Sequence, residues 1–156
     1  MKDDLRYTPS DCFETFALPE GFETDRRLED IGREYYEFRA ALMIEYDEGL
    51  TKIYNRFHDP DERSNSIAEL RRLHDAIDRA VLDAYGWTDL RPTCEFELEW
   101  QDDEAENSRR RKKPWRYRWP EPIRDEILAR LLSLNAERAM QERLIATDCT
   151  IAAGGN

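Results

Sequence analysis

The chain has no G-x-G-x-x-G loop, no Walker loop, no G-x-S-x-G elbow and no H-E-x-x-H helix. Without these, neither a nucleophilic nor a cofactor-binding enzyme is supported by motif. Its two histidines, His58 and His74, have no cysteine or histidine at ligand spacing, which speaks against zinc. The three cysteines, Cys12, Cys94 and Cys149, are odd in number, widely spaced and without a C-x-x-C. They read as reduced thiols of a cytoplasmic protein. Uncharged, mostly apolar runs such as Ala40 to Ile44 fall far short of the ~20 residues that span a bilayer. The opening Met1-Lys2-Asp3-Asp4 has no apolar stretch behind it, so no secretory signal is expected. No membrane partner is expected either.

What the sequence does have is charge. Of 156 residues, 38% are charged, and 35 Asp plus Glu against 24 Lys plus Arg leave −11. Forty per cent apolar residues, with 11% aromatic, are nevertheless enough for one folded domain and a small appendage. The charge is unevenly placed. Residues 109–118 hold seven basic residues and no acid, and Glu95 to Glu106 hold seven acids and no base. An acidic body with one basic segment results.

Residues 1–22, with Pro9, Pro19 and Gly21, have no sustained period and read as an extended segment anchored by Phe13, Phe16 and Phe22. Leu28, Ile31, Tyr35, Phe38 and Leu42 are spaced three and four apart, one face of a helix. Thr24 or Asp25 is expected to cap that helix and Gly49 to end it. Gly32 inside it suggests a close approach. Leu50 to Phe57 reads as a short helical turn and His58 to Asp61 as a turn. A second long helix follows, with a capping box at Ser66 and Glu69. Its stripe is Ile67, Leu70, Leu73 or His74, Ile77, Val81 and Ala84, and Gly86 stands at C′ with Trp87 folding back.

The period then becomes two. Cys94 to Trp100 alternates apolar with acidic residues, and Trp115 to Trp119 alternates aromatic with basic ones. Two half-buried antiparallel strands, glutamates facing arginines, are expected over 94–119. A third long helix begins near Pro120-Glu121-Pro122 and carries Ile123, Ile127, Leu131 and Leu134 to about Arg143. The fold class expected is α+β, mainly α: three long helices with a two-stranded antiparallel ribbon. The helical domain is expected over 23–143, and 144–156 as a frayed tail.

Three groups of residues invite chemistry. Glu95, Glu97 and Glu99 read as a charge-paired strand face rather than an acid–base site. Asp59, Asp61 and Glu62 read as a turn and the acidic start of a helix rather than a cation site. Arg109, Arg110, Arg111, Lys112 and Lys113 lie between the strands, beside aromatic residues, and are the candidate contacts to nucleic-acid phosphate. Arg116 and Arg118 fall within the strand and are expected to be engaged by its glutamates.

Four ordered blocks, Leu5 to Phe16, Gly49 to Pro60, Asp78 to Trp87 and Lys113 to Pro120, together resemble the C-terminal region of bacterial adenine-specific DNA methyltransferases. These are the type IIG restriction-modification enzymes and related phage-defence methylases. Ala17 stands where that family pattern has proline. The resemblance implies a specificity- and scaffold-associated part whose partners are DNA and a methyltransferase catalytic domain or subunit. The family's methyl donor is S-adenosylmethionine. Its glycine-rich donor loop and Asn-Pro-Pro-Tyr type motif do not occur here, so no catalytic residue and no cofactor is assigned to this chain. The alternative is an acidic, helical protein-binding module, an adaptor or a DNA mimic. A further possibility is a remnant whose exposed apolar stripe once packed on a missing domain.

Overall fold

The computed structural model describes residues 16–99 and 115–153, with side chains as far as 145. It is mainly helical, with one two-stranded antiparallel sheet. A 3-10 turn at Phe22–Thr24 leads into α1 (Arg26–Tyr46), then α2 (Leu50–Phe57), α3 (Asn65–Ala84), β1 (Glu95–Leu98), β2 (Trp115–Arg118) and α4 (Glu121–Ala153).

The expected stripe of α1 faces inward from Leu28 to Leu42. Asp25 caps it, one side-chain oxygen accepting from the backbone N–H of Arg27 at 2.9 Å. The helix ends at Tyr46, three residues before the expected glycine. Asp47 takes the left-handed conformation (φ 51°), and Glu48 N–H returns to Met43 C=O at 3.0 Å. Aspartate is one of the few side chains that tolerate this backbone, which frees Gly49 to open α2 instead.

Helix α3 also departs from expectation at both ends. It starts at Asn65 behind Ser64, ahead of the expected capping box at Ser66. The Ser64 hydroxyl is 3.0 Å from that of Tyr46, so it links two helices rather than capping one. Toward the C-terminus the buried residue is Leu82, at 2%, and the expected Val81 is 36% exposed. Gly86 stands at C′ with φ 74°, and Trp87 N–H closes onto Leu82 C=O at 2.9 Å. The Trp87 ring stacks on Tyr85 at 4.5 Å, folding back as expected.

The core of this body is Leu42 from α1, Ile53 and Phe57 from α2, and Ile67 and Leu70 from α3. Tyr35, Phe38, Tyr54 and Tyr117 pack against it. The ribbon pairs Glu95 with Arg118, Phe96 with Tyr117, Glu97 with Arg116 and Leu98 with Trp115. The strands are shorter than the alternating runs. Leu98 and Trp115, at the ribbon's open end, are both exposed, so the inner face is buried only near Cys94 and Tyr117.

The chain divides into Pro19–Ile123 and a second unit of Met1–Leu18 with Arg124–Asn156. In the second unit, Ile127 and Ala17 are buried, whereas Leu128, Leu132, Met140 and Leu144 form an exposed ridge at multiples of four. The expected tail from 144 is helical through Ala153, because Leu144 to Ala153 contains no glycine or proline to stop it. Phe16 and Phe22 are 48% and 38% exposed, so neither is the buried anchor expected, and Phe13 lies outside the described residues. Among the described residues no helix is long and apolar enough to cross a membrane.

Candidate functional site

Arginines in the ribbon behave as the alternation implies. Arg118 Nε donates to Glu97 at 2.8 Å, and Arg116 lies 3.0 Å from Glu99. Each pair runs diagonally across the register, because Glu97 stands directly opposite Arg116. The side chains are about one-third exposed, so each pair contributes no more than about 1 kcal/mol. The basic run Arg109, Arg110, Arg111, Lys112 and Lys113 lies outside the described residues. Asp59, Asp61 and Glu62 form a turn, as expected. Asp59 accepts from the backbone N–H of Asp61, and Glu62 accepts from Ser64 N–H and Arg56 Nε.

The densest polar chemistry lies where the ribbon meets α2 and α3. His58, just past the end of α2, accepts the backbone N–H of Tyr117 on Nδ1 at 3.0 Å. That bond requires the neutral ring with its proton on Nε2. Burial, and then the positive charge of Arg116, lowers the His58 pKa below the usual imidazole range. Arg71 of α3 donates to the carbonyls of Phe57 (3.0 Å), Arg56 (3.2 Å) and Asp59 (2.8 Å). One guanidinium thus caps the C-terminal carbonyls of α2 while lying 5.0 Å from the Phe96 ring centre and 5.5 Å from that of Tyr117.

One turn further along α3 the residues change from cationic to ligating. His74, Asp75 and Asp78 share a helix face, and buried Cys94 approaches them from the residue before β1. Their four donor atoms lie within 4.8 Å of one another. His74 Nδ1 is 3.4 Å from Asp78 Oδ2, yet it is buried and makes no hydrogen bond. The Asp78 carboxylate raises the His74 pKa. Burial raises that of Asp75, with the charge of Asp78 adding to it. The Cys94 thiol is pushed up to about 12, first by burial and then by the two carboxylates. Asp75 also lines a groove of about 350 Å³ with Arg27, Arg72, Ala76, Arg79, Ala80 and Asp83.

Local spacing did not reveal this cluster, since Cys94 is 20 residues from His74. The legible part was the helical spacing of His74 and Asp78, one turn apart. Cys94 joins them because the turn after α3 reverses the chain and buried Leu90 and Pro92 hold the return against the body. Comparison of the chain with protein-family models, curated proteins and solved structures finds no match.

Proposed function

We propose that the chain acts as the C-terminal, specificity- and scaffold-associated part of an S-adenosylmethionine-dependent, adenine-specific DNA methyltransferase of restriction-modification or phage defence. It contributes contacts to the DNA backbone and no catalytic group. The observation that supports this reading is where the resembling blocks meet. Tyr54, Phe57 and His58 come from the second block and Tyr117 from the fourth. The Phe57 and Tyr117 rings are 5.5 Å apart, centre to centre, and Tyr117 N–H donates to His58. The third block supplies Asp78 and the turn that returns the chain toward Cys94. Residues of the second, third and fourth blocks thus serve as joints of one scaffold.

Arg109, Arg110, Arg111, Lys112 and Lys113 are the phosphate contacts in this reading. Leu98 pairs with Trp115, and the basic run lies between these two residues in sequence. With Arg116 and Arg118 held by glutamates, the run is the most concentrated positive charge in the sequence that a polyanion could meet.

Fluorescence anisotropy with duplex DNA over a range of salt tests the reading. The full chain is expected to bind with affinity that falls as salt rises, by a slope of about 0.9 per phosphate neutralised. Replacing the five residues by glutamine should weaken binding and flatten that slope. An unchanged slope removes the run from the interface. Absence of any salt-dependent binding favours the alternative, an acidic protein-binding module. Methyl transfer by this chain alone, with labelled donor, would overturn the non-catalytic assignment.

A further inference from the structure

The cluster on α3 and Cys94 has no part in the DNA contact proposed above, and a ligand there stands independently of it. Four donors of three kinds converge there: an imidazole nitrogen, a sulfur and two carboxylate oxygens, one per residue, all within 4.8 Å. A tetrahedral zinc site, with bonds of about 2.0–2.3 Å, places its donors roughly 3.5 Å apart. The observed spread is therefore about one ångström wider than a closed site, a difference that rotation of the Asp75 and Asp78 side chains can remove.

One further observation points to a ligand. His74 Nδ1 is buried and makes no hydrogen bond, the nearest carboxylate oxygen, Asp78 Oδ2, standing 3.4 Å away.

We propose that His74, Asp75, Asp78 and Cys94 bind one divalent transition-metal ion of the zinc class. A thiolate and an imidazole favour zinc over magnesium or calcium, which take oxygen donors. On binding, the Cys94 S–H proton leaves to solvent and the thiolate, the neutral imidazole and the two carboxylates each donate one electron pair. No group is oxidised or reduced. The ion would join α3 to the residue before β1, one turn along α3 from the Arg71 guanidinium that lies over the Phe96 and Tyr117 rings. Its role is structural, and its occupancy stabilises the folded chain by mass action.

The test is titration of the full chain, freed of metal with a chelator, with Co²⁺ as a spectroscopic stand-in for Zn²⁺. One equivalent should produce a thiolate-to-cobalt charge-transfer absorption that Zn²⁺ then abolishes. Cys94→Ser should remove the absorption, whereas Cys12→Ser and Cys149→Ser should retain it. Asp78→Asn and His74→Gln, checked for helicity by circular dichroism, should weaken binding by on the order of 100-fold, at least the cost of losing an outer-shell partner. Zn²⁺ should also raise the thermal midpoint of the wild type and not that of Cys94→Ser. No absorption in the wild type, or one that survives Cys94→Ser, overturns the proposal. Should Cys94→Ser fail to fold, an unchanged affinity in both folded Asp78→Asn and His74→Gln chains overturns it equally.

Discussion

The backbone N–H of Tyr117 donates to Nδ1 of His58 across 59 residues of chain, at 3.0 Å. This bond ties the third residue of β2 to the end of α2, and it exists only while His58 is neutral. The groups acting on His58 are Arg116, His74 and Arg71, which oppose its protonation, and Glu99, which favours it. Burial outweighs all of them.

Because the folded pKa of His58 lies below its unfolded value near 6.5, the folded state resists protonation. Its stabilising contribution is present above that value and is lost as pH falls through it toward the folded pKa. His58→Gln should therefore cost most stability near about pH 8 and progressively less toward about pH 5. Urea unfolding of both proteins at several pH values measures this. A gap that widens on acidification would contradict the assigned hydrogen bond.

Arg71 is the second joint. Its guanidinium serves three carbonyls at the end of α2 and lies over two rings of the ribbon. Lysine keeps the charge but cannot fork. Arg71→Ala should cost about 2–3 kcal/mol and Arg71→Lys should recover less than half of it. Chemical denaturation resolves the two.

Gly32 invites a change of the opposite sign. It sits inside α1, and a Cβ built there meets nothing within 4 Å, so the close approach expected at this position is absent. Gly32→Ala should stabilise the chain by about 0.5–1 kcal/mol through helix propensity and a less flexible unfolded state. A thermal midpoint several degrees higher is the expected reading.

Core and surface isoleucines separate cleanly. Ile53 is fully buried, and Ile53→Ala should cost about 2–5 kcal/mol from lost transfer energy and the cavity left behind. Ile44 is 82% exposed near the end of α1, and Ile44→Ala should change stability by less than about 0.5 kcal/mol. Equal losses at the two positions would mean that Ile44 is covered in solution by a partner or a second copy.

Helix and strand were legible where the period was long or strict. The stripe from Leu28 to Leu42, the alternation through Glu95 to Leu98 and the glycine stop at Gly86 all lie where one-dimensional spacing points. Element ends were less legible. Asp47 and Ser64 override nearby residues because a left-handed aspartate and a hydroxyl contact to Tyr46 depend on how consecutive helices turn, which no window of sequence contains.

The amino-acid order alone determined the helical class, the glutamate–arginine ribbon and the concentration of positive charge in one run, because each depends on neighbours a few residues apart. Only the tertiary structure decided that Cys94 faces His74, Asp75 and Asp78, that His58 receives a bond from Tyr117, and that Arg71 closes α2. Those contacts span 14 to 59 residues, and burial of Ile53, Phe57, Ile67 and Leu70 is what brings their ends together.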